Sequence, residues 1–204
     1  MFAQTHRPLE VIVVDDGSED ETRSVAETYG DRIRFTSQER SGAGAARNTA
    51  VGLANGDYLA FLDADDRFLP EKLEHQLAAL HADPDLDMVF GHVREFVSPE
   101  LSAEVRAAIR PPAAQSPWTA PNLMLIRRTS FDRVGSFSAD AGVADLVDWY
   151  ARSVEARLKS LILPEIVLER RLHSANSGLR EQSPHSDYLR VIRAAMERRR
   201  SPQR

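Results

Sequence analysis

The sequence predicts an α/β fold, on two strand-like apolar runs that each end in carboxylates and a small-residue segment with helical character lying between them. Short apolar, β-branched runs suit strands buried on both faces of a parallel sheet. Open α/β sheets bind ligands beyond the C-terminal ends of their strands. The acids therefore fall where such a fold holds a ligand.

The first run is Leu9-Glu10-Val11-Ile12-Val13-Val14, which passes straight into Asp15-Asp16-Gly17-Ser18-Glu19-Asp20-Glu21-Thr22. Gly17 permits a tight turn, and Ser18 or Asp20 is suited to cap a helix running through Val25 to Tyr29. The second run is Tyr58-Leu59-Ala60-Phe61-Leu62, after Asn55-Gly56-Asp57 and before Asp63-Ala64-Asp65-Asp66. Three neighbouring acids repel one another unless a cation sits among them. A divalent ion bridging phosphate oxygens, Mg²⁺ or Mn²⁺, fits hard carboxylate ligands. A solvated acidic turn is the plainer reading, and two acid-tipped strands weigh against coincidence.

Between the runs lies Arg40-Ser41-Gly42-Ala43-Gly44-Ala45-Ala46-Arg47-Asn48-Thr49-Ala50. Its small residues let backbone approach a ligand, and a helix starting there offers N–H groups to an anion. Arg47 adds a planar fork for phosphate. The segment lacks the third glycine of a dinucleotide fingerprint and the G-K-[ST] of a P-loop. A small-residue helix packed closely on a sheet explains the same letters.

In succession these segments resemble the family 2 glycosyltransferases, whose GT-A fold binds nucleotide sugars. The resemblance rests on Val11–Thr22, Gly42–Asn55 and Gly56–Pro70, with Leu123–Phe137 similar to a later strand, helix and turn, and it covers roughly residues 3 to 180. It implies that Asp15 and Asp16 contact the base and ribose, that Arg47 lies near the base or diphosphate, and that Asp63 and Asp65 form the D-x-D pair. In that pair Asp65 ligates the metal and Asp63 meets the ribose or a metal water. Asp66 is either a cap for a helix over Pro70–Leu80 or an acid one layer out from the metal.

Inverting relatives carry an acidic pair in the second half that deprotonates the acceptor. The comparable stretch is Ala144-Asp145-Leu146-Val147-Asp148-Trp149, where Leu146 replaces the second acid of the pair. Asp145, Asp148 or neither is then the base; their i,i+3 spacing can place both on one helical face. Arg170-Arg171-Leu172-His173-Ser174-Ala175-Asn176 resembles a late family segment, which implies His173 at the metal or diphosphate and the arginines near phosphate charge. Relatives begin with an apolar strand and helix that this sequence lacks. Met1–Pro8 reads as the end of that helix, and the expectation is an N-terminally truncated GT-A domain whose start is internal to a longer protein.

With 42% hydrophobic residues in 204, the chain can bury one core. Residues 1–188 form the expected catalytic domain, with a nucleotide-binding half of about 1–90 and an acceptor-side half of about 91–188. Residues 189–204 form a basic tail with six arginines against Glu197 alone. Tyr188, Val191, Ile192, Ala195 and Met196 give that tail an amphipathic pattern. Arg198–Arg200 suits either anionic lipid or a solvated helix end. The absence of cysteine excludes disulfides and thiolate metal sites. No apolar run reaches the roughly 20 residues of a membrane span. No leader pattern and no nucleic-acid module is visible, so the expected setting is cytoplasmic, with peripheral contact at the inner membrane face as the tail's variant. Glu100–Arg110 reads as helical and residues 110–117 as a loop; Trp118 beyond it suits either a sugar face or the core.

The expected activity is inverting, metal-dependent transfer of a sugar from a nucleotide-diphosphate donor, a UDP-sugar, to an unknown hydroxyl of a glycan, lipid-linked or peptide acceptor in cell-surface glycan synthesis. A non-catalytic nucleotide-sugar-binding or assembly protein is the first rival, supported by Leu146. A phosphotransferase is the second, and lacks a phosphate-cradling lysine loop.

Overall fold

The computed structural model describes residues 1–108, 115–117, 119–138 and 145–173, with Arg193, Met196 and Arg198 beyond them. In chain order the elements are β1 (Ile12–Asp16), α1 (Thr22–Glu27), β2 (Arg34–Gln38), α2 (Ala43–Leu53), β3 (Tyr58–Ala60), β4 (Arg67–Phe68), α3 (Lys72–Ala82) and β5 (Met88–Val97). They continue with α4 (Ala103–Ala108), β6 (Ser116–Pro117), β7 (Leu125–Arg127), α5 (Arg128–Val134), α6 (Asp145–Glu155) and β8 (Ser160–Leu172). Short 3-10 turns occupy Gly30–Arg32 and Pro121–Leu123. The chain divides into two compact units, with boundaries inside β3 and α5.

One unit gathers Met1–Arg7, Ala60–Ser130 and the described residues 158–173. Its spine is the parallel pair β5 and β8, in register from Met88 opposite Ser160 to Val97 opposite Leu172. β7 and β6 run antiparallel to β5, and β4 antiparallel to β8. The sheet is thus mixed at its margins, because these short strands return beside their partners rather than through a helical crossover. Met88, Val89, Phe90, Val93, Val167 and Leu168 are buried, each worth about 1.5–3 kcal/mol relative to exposure. Gly91 lets the pair close: a Cβ there would stand 2.5 Å from Val167 Cγ1. The register shifts on either side of His92.

Helix α3 packs Leu73, Gln76 and Leu80 inward, the i, i+3, i+7 stripe of an amphipathic helix. It starts at Lys72 with Glu71 as its cap position, so Asp66 does not cap it. Residues 1–8 form turns rather than a helix end. Buried Gln4 ties them down, donating to Leu69 O at 2.7 Å and accepting the Leu73 N–H at 3.1 Å.

The other unit contains Pro8–Leu59, Phe131–Arg157 and Arg198. β1 and β2 pair in parallel from Ile12 opposite Arg34 to Asp16 opposite Gln38, as a two-stranded sheet among the described residues. Helix α1 begins at Thr22 without a side-chain cap on its own cap residue, Glu21. Asp20 instead accepts the Thr22 N–H at 3.0 Å, the local turn that short acids favour. Phe131, Phe137 and Trp149 form an aromatic core, with Phe131 and Trp149 stacked at 5.5 Å. Asn48 of α2 exchanges two 2.9 Å bonds with the backbone of Phe137.

The described part of the α4 region is shorter than the helix expected over 100–110. Trp118, residues 109–114 and most of the basic tail lie outside the described residues. Among the described residues no helix is long and apolar enough to cross a membrane.

Candidate functional site

The carboxylate trio sits where the sequence places it, just past β3. The Asp66 N–H bonds back to Asp63 O at 3.1 Å, closing a tight turn that turns three acidic side chains through one short stretch. Asp66 is buried. Its Oδ1 accepts the Arg171 N–H at 3.1 Å, and its Oδ2 accepts from Asn122 Nδ2 at 2.7 Å. Burial pushes its pKa up to about 6, helped by the charges of Asp65 and Asp63 and opposed by the Arg171 and Asn122 donors.

His173 follows directly after β8, and its Nε2 lies 2.9 Å from Asp65 Oδ2. With Asp65 ionised, Nε2–H is the donor. Whether this pair fits a divalent ion can be judged from that spacing. Adjacent ligands of an octahedral ion with bonds of about 2.1 Å stand about 3 Å apart, which is the separation of these two atoms. No group of three or more His, Cys, Asp or Glu among the described residues converges on one metal position. The donor set therefore fits an ion completed by phosphate oxygens and water, as Mg²⁺ and Mn²⁺ permit, and not an ion caged by protein alone.

The second unit carries the other candidates. Asp16, at the end of β1, accepts from Gln38 Nε2 and the Ser41 N–H at Oδ1 and from the Gly42 N–H at Oδ2, each at 2.8 Å. Burial would raise its pKa, but the Ser41, Gln38 and Gly42 donors and the Arg40 charge outweigh that and lower it. It holds the loop leading into α2. Asp15 is buried and accepts the Ser18 N–H at 3.0 Å. Gly17 between them has φ +73°, and a Cβ there would meet Arg40 N at 3.0 Å. Only glycine suits both conditions.

Arg47 pairs with Asp145 Oδ2 at 3.1 Å, and both side chains are largely buried. Gly44, one turn before Arg47, provides the space: a Cβ there would lie 2.8 Å from the same Asp145 oxygen. The small-residue segment thus packs a helix closely around a carboxylate. Asp148, also buried, receives Arg152 at 2.8 Å and Arg198 at 3.3 Å. Both base candidates lie in the first turn of α6, and each is met by arginine.

Each predicted residue thus has a structural setting: Asp63, Asp65 and His173 cluster in one unit, and Asp15, Asp16, Arg47, Asp145 and Asp148 lie in the other. Sequence reasoning missed Asn122, the Arg171 backbone N–H, Gln38 and Arg152. Pro121 before Asn122, which starts a 3-10 turn, was the one local signal available.

The profile of glycosyl transferase family 2 matches residues 1–139. An uncharacterized glycosyltransferase of Rickettsia prowazekii is 40% identical over 88 residues, covering 43% of this chain and 28% of that relative. One from Escherichia coli K12 is 36% identical over 91 residues, covering 43% of this chain and 26% of the relative. The matched stretch therefore spans under a third of the length of each of these relatives. Among solved structures, S. aureus TarS residues 1–349 in complex with UDP-GlcNAc superposes with TM-score 0.72 at 18% identity, covering 99% of this chain and 61% of that one. GalNAc-T7 with UDP, GalNAc and Mn²⁺ superposes with TM-score 0.67 at 16% identity, covering 90% and 41%. At such identities these structures speak to the fold, which is that of the GT-A glycosyltransferases. The profile match extends over more than half of the chain, and the protein belongs to glycosyl transferase family 2.

Proposed function

We propose that the protein transfers a sugar from a nucleoside diphosphate donor, a UDP-sugar, to a hydroxyl of a glycan, lipid-linked or peptide acceptor, with inversion and with a divalent metal. The observation that carries this reading is the Asp63–Asp66 turn with His173 beside Asp65. UDP-GlcNAc bound to TarS and UDP with Mn²⁺ in GalNAc-T7 support the donor class and the metal.

Asp65 and His173 would hold the ion, His173 after moving its proton from Nε2 to Nδ1. When bound, Mg²⁺ or Mn²⁺ offsets the charge that grows on a departing diphosphate. Asp63 orients the ribose or a water near the ion. Asp15 faces the base, and Asp16, kept ionised by its donors, fixes the loop beside it. Arg47 serves phosphate or Asp145; its pairing with Asp145 favours the second role. A base must reach the acceptor proton before its pKa matters. In this reading Asp145 does so once Arg47 yields to substrate, with Asp148 as the alternative.

A specific observation favours a second reading, a nucleotide-sugar-binding protein without transfer: arginines engage both base candidates. One experiment separates the two. UDP release from a panel of UDP-sugars is measured with and without Mn²⁺, alongside UDP binding. Metal-dependent release that vanishes in Asp65→Ala supports transfer. UDP binding with no release under any acceptor supports the second reading. Release that ignores both metal and Asp65→Ala refutes the mechanism.

A further inference from the structure

We propose that Asn122 is a positioning residue for the acidic turn, fixing the Asp63 and Asp66 carboxylates so that Asp65 and His173 present a ready metal position. The inference rests on the function proposed above. Asn122 is 8% exposed, and its Nδ2 lies 2.7 Å from Asp66 Oδ2 and 3.4 Å from Asp63 Oδ2. One amide group with two N–H donors thus spans the first and last acids of the turn. Without it, the Asp63 and Asp66 carboxylates would lose the donor they share, and their mutual repulsion would be less offset.

Asn122 is itself held firmly. It is the middle residue of the Pro121–Leu123 3-10 turn, closed by Leu123 N–H to Ala120 O and Met124 N–H to Pro121 O, each at 3.0 Å. The next carbonyl, Leu123 O, receives two buried side-chain donors from α3: Lys72 Nζ at 2.9 Å and Gln76 Nε2 at 2.7 Å. A turn anchored on both sides leaves its amide little freedom, which is how groups outside the ligand set tune a metal site. Asn122 Oδ1 is buried with no hydrogen-bond partner among the described residues. A buried acceptor costs free energy unless something supplies a donor, and a hydroxyl of the bound nucleotide sugar fills that role.

The test is Mn²⁺ titration by calorimetry in the presence of UDP, on wild type, Asn122→Ala and Asn122→Leu, with melting temperature measured alongside. Leucine keeps the volume and removes both donors, so either variant that folds suffices. The expected result is an Mn²⁺ Kd raised about tenfold or more, with kcat recovering towards wild type at saturating Mn²⁺, a recovery that a merely structural defect would not show. If wild type binds Mn²⁺ and a folded variant binds it equally well, the positioning role is overturned. If wild type binds no Mn²⁺ with UDP, the proposed function falls and this inference falls with it.

Discussion

Replacing Lys72 with methionine tests how the interior beneath the acidic turn is charged. Lys72 is 1% exposed, with Nζ 2.9 Å from Leu123 O and 4.5 Å above the Phe68 ring. The ring face favours an ammonium by about 0.5–2 kcal/mol. Burying a charge costs several kcal/mol even after relaxation. Burial wins, and the Lys72 pKa lies well below the ordinary lysine value. The folded state therefore holds the Lys72 proton less tightly than the unfolded chain does. Because the folded pKa is depressed, the stability linked to this group is fully present above the unfolded value near 10.4 and is lost as pH falls towards the folded one. The slope is about 1.4 kcal/mol per pH unit. In Lys72→Met that slope disappears. The variant gives up one hydrogen bond, about 1 kcal/mol, but Gln76 still donates to Leu123 O. Urea unfolding at pH 7, 8 and 9 should show Lys72→Met gaining on wild type as pH falls, by at most about 1.4 kcal/mol per unit. A constant offset between the two proteins over that range would mean that Lys72 stays protonated when folded, and would refute the argument.

Two further outcomes follow from the second unit. Gly44→Ala inserts a methyl 2.8 Å from the Asp145 oxygen; it should cost about 1–3 kcal/mol in thermal or urea unfolding and displace Asp145 from Arg47, changing kcat more than donor KM if Asp145 is the base. Asp16→Asn removes the charge and replaces one of the two acceptor oxygens that hold Gln38, Ser41 and Gly42 with an amide donor, and should weaken UDP binding by calorimetry. Since the Asp16 pKa is lowered, wild-type UDP binding should not lose this contribution until the pH falls below the ordinary carboxylate range.

The acid-tipped strands were legible because apolar run and carboxylates are contiguous: Asp15, Asp16, Asp63 and Asp65 lie at or just past β1 and β3. What surrounds those acids was not. Asn122 reaches Asp66 across 56 residues, the Arg171 N–H reaches it across 105, and Arg47 meets Asp145 across 98. No local periodicity encodes such pairings. Lys72 was not legible either, since nothing in Lys72-Leu73-Glu74-His75 marks a lysine whose head is buried against a carbonyl. The Tyr58–Leu62 run suggested a longer strand than the three residues of β3, because apolarity reports burial and Phe61 is buried outside the ladder. The mixed pairing around β5 and β8 likewise depends on where β4, β6 and β7 return, which composition does not reveal.

Strand β8 follows the acidic turn at long range in the chain, yet its far end brings the Arg171 amide to Asp66 and delivers His173 to Asp65. While the chain is still being translated, the acidic turn leaves the ribosome about a hundred residues before those companions. A nascent chain at that stage exposes clustered negative charge with neither imidazole nor peptide donor to organise it. The order of translation thus leaves the acidic turn without these two partners until β8 has been made.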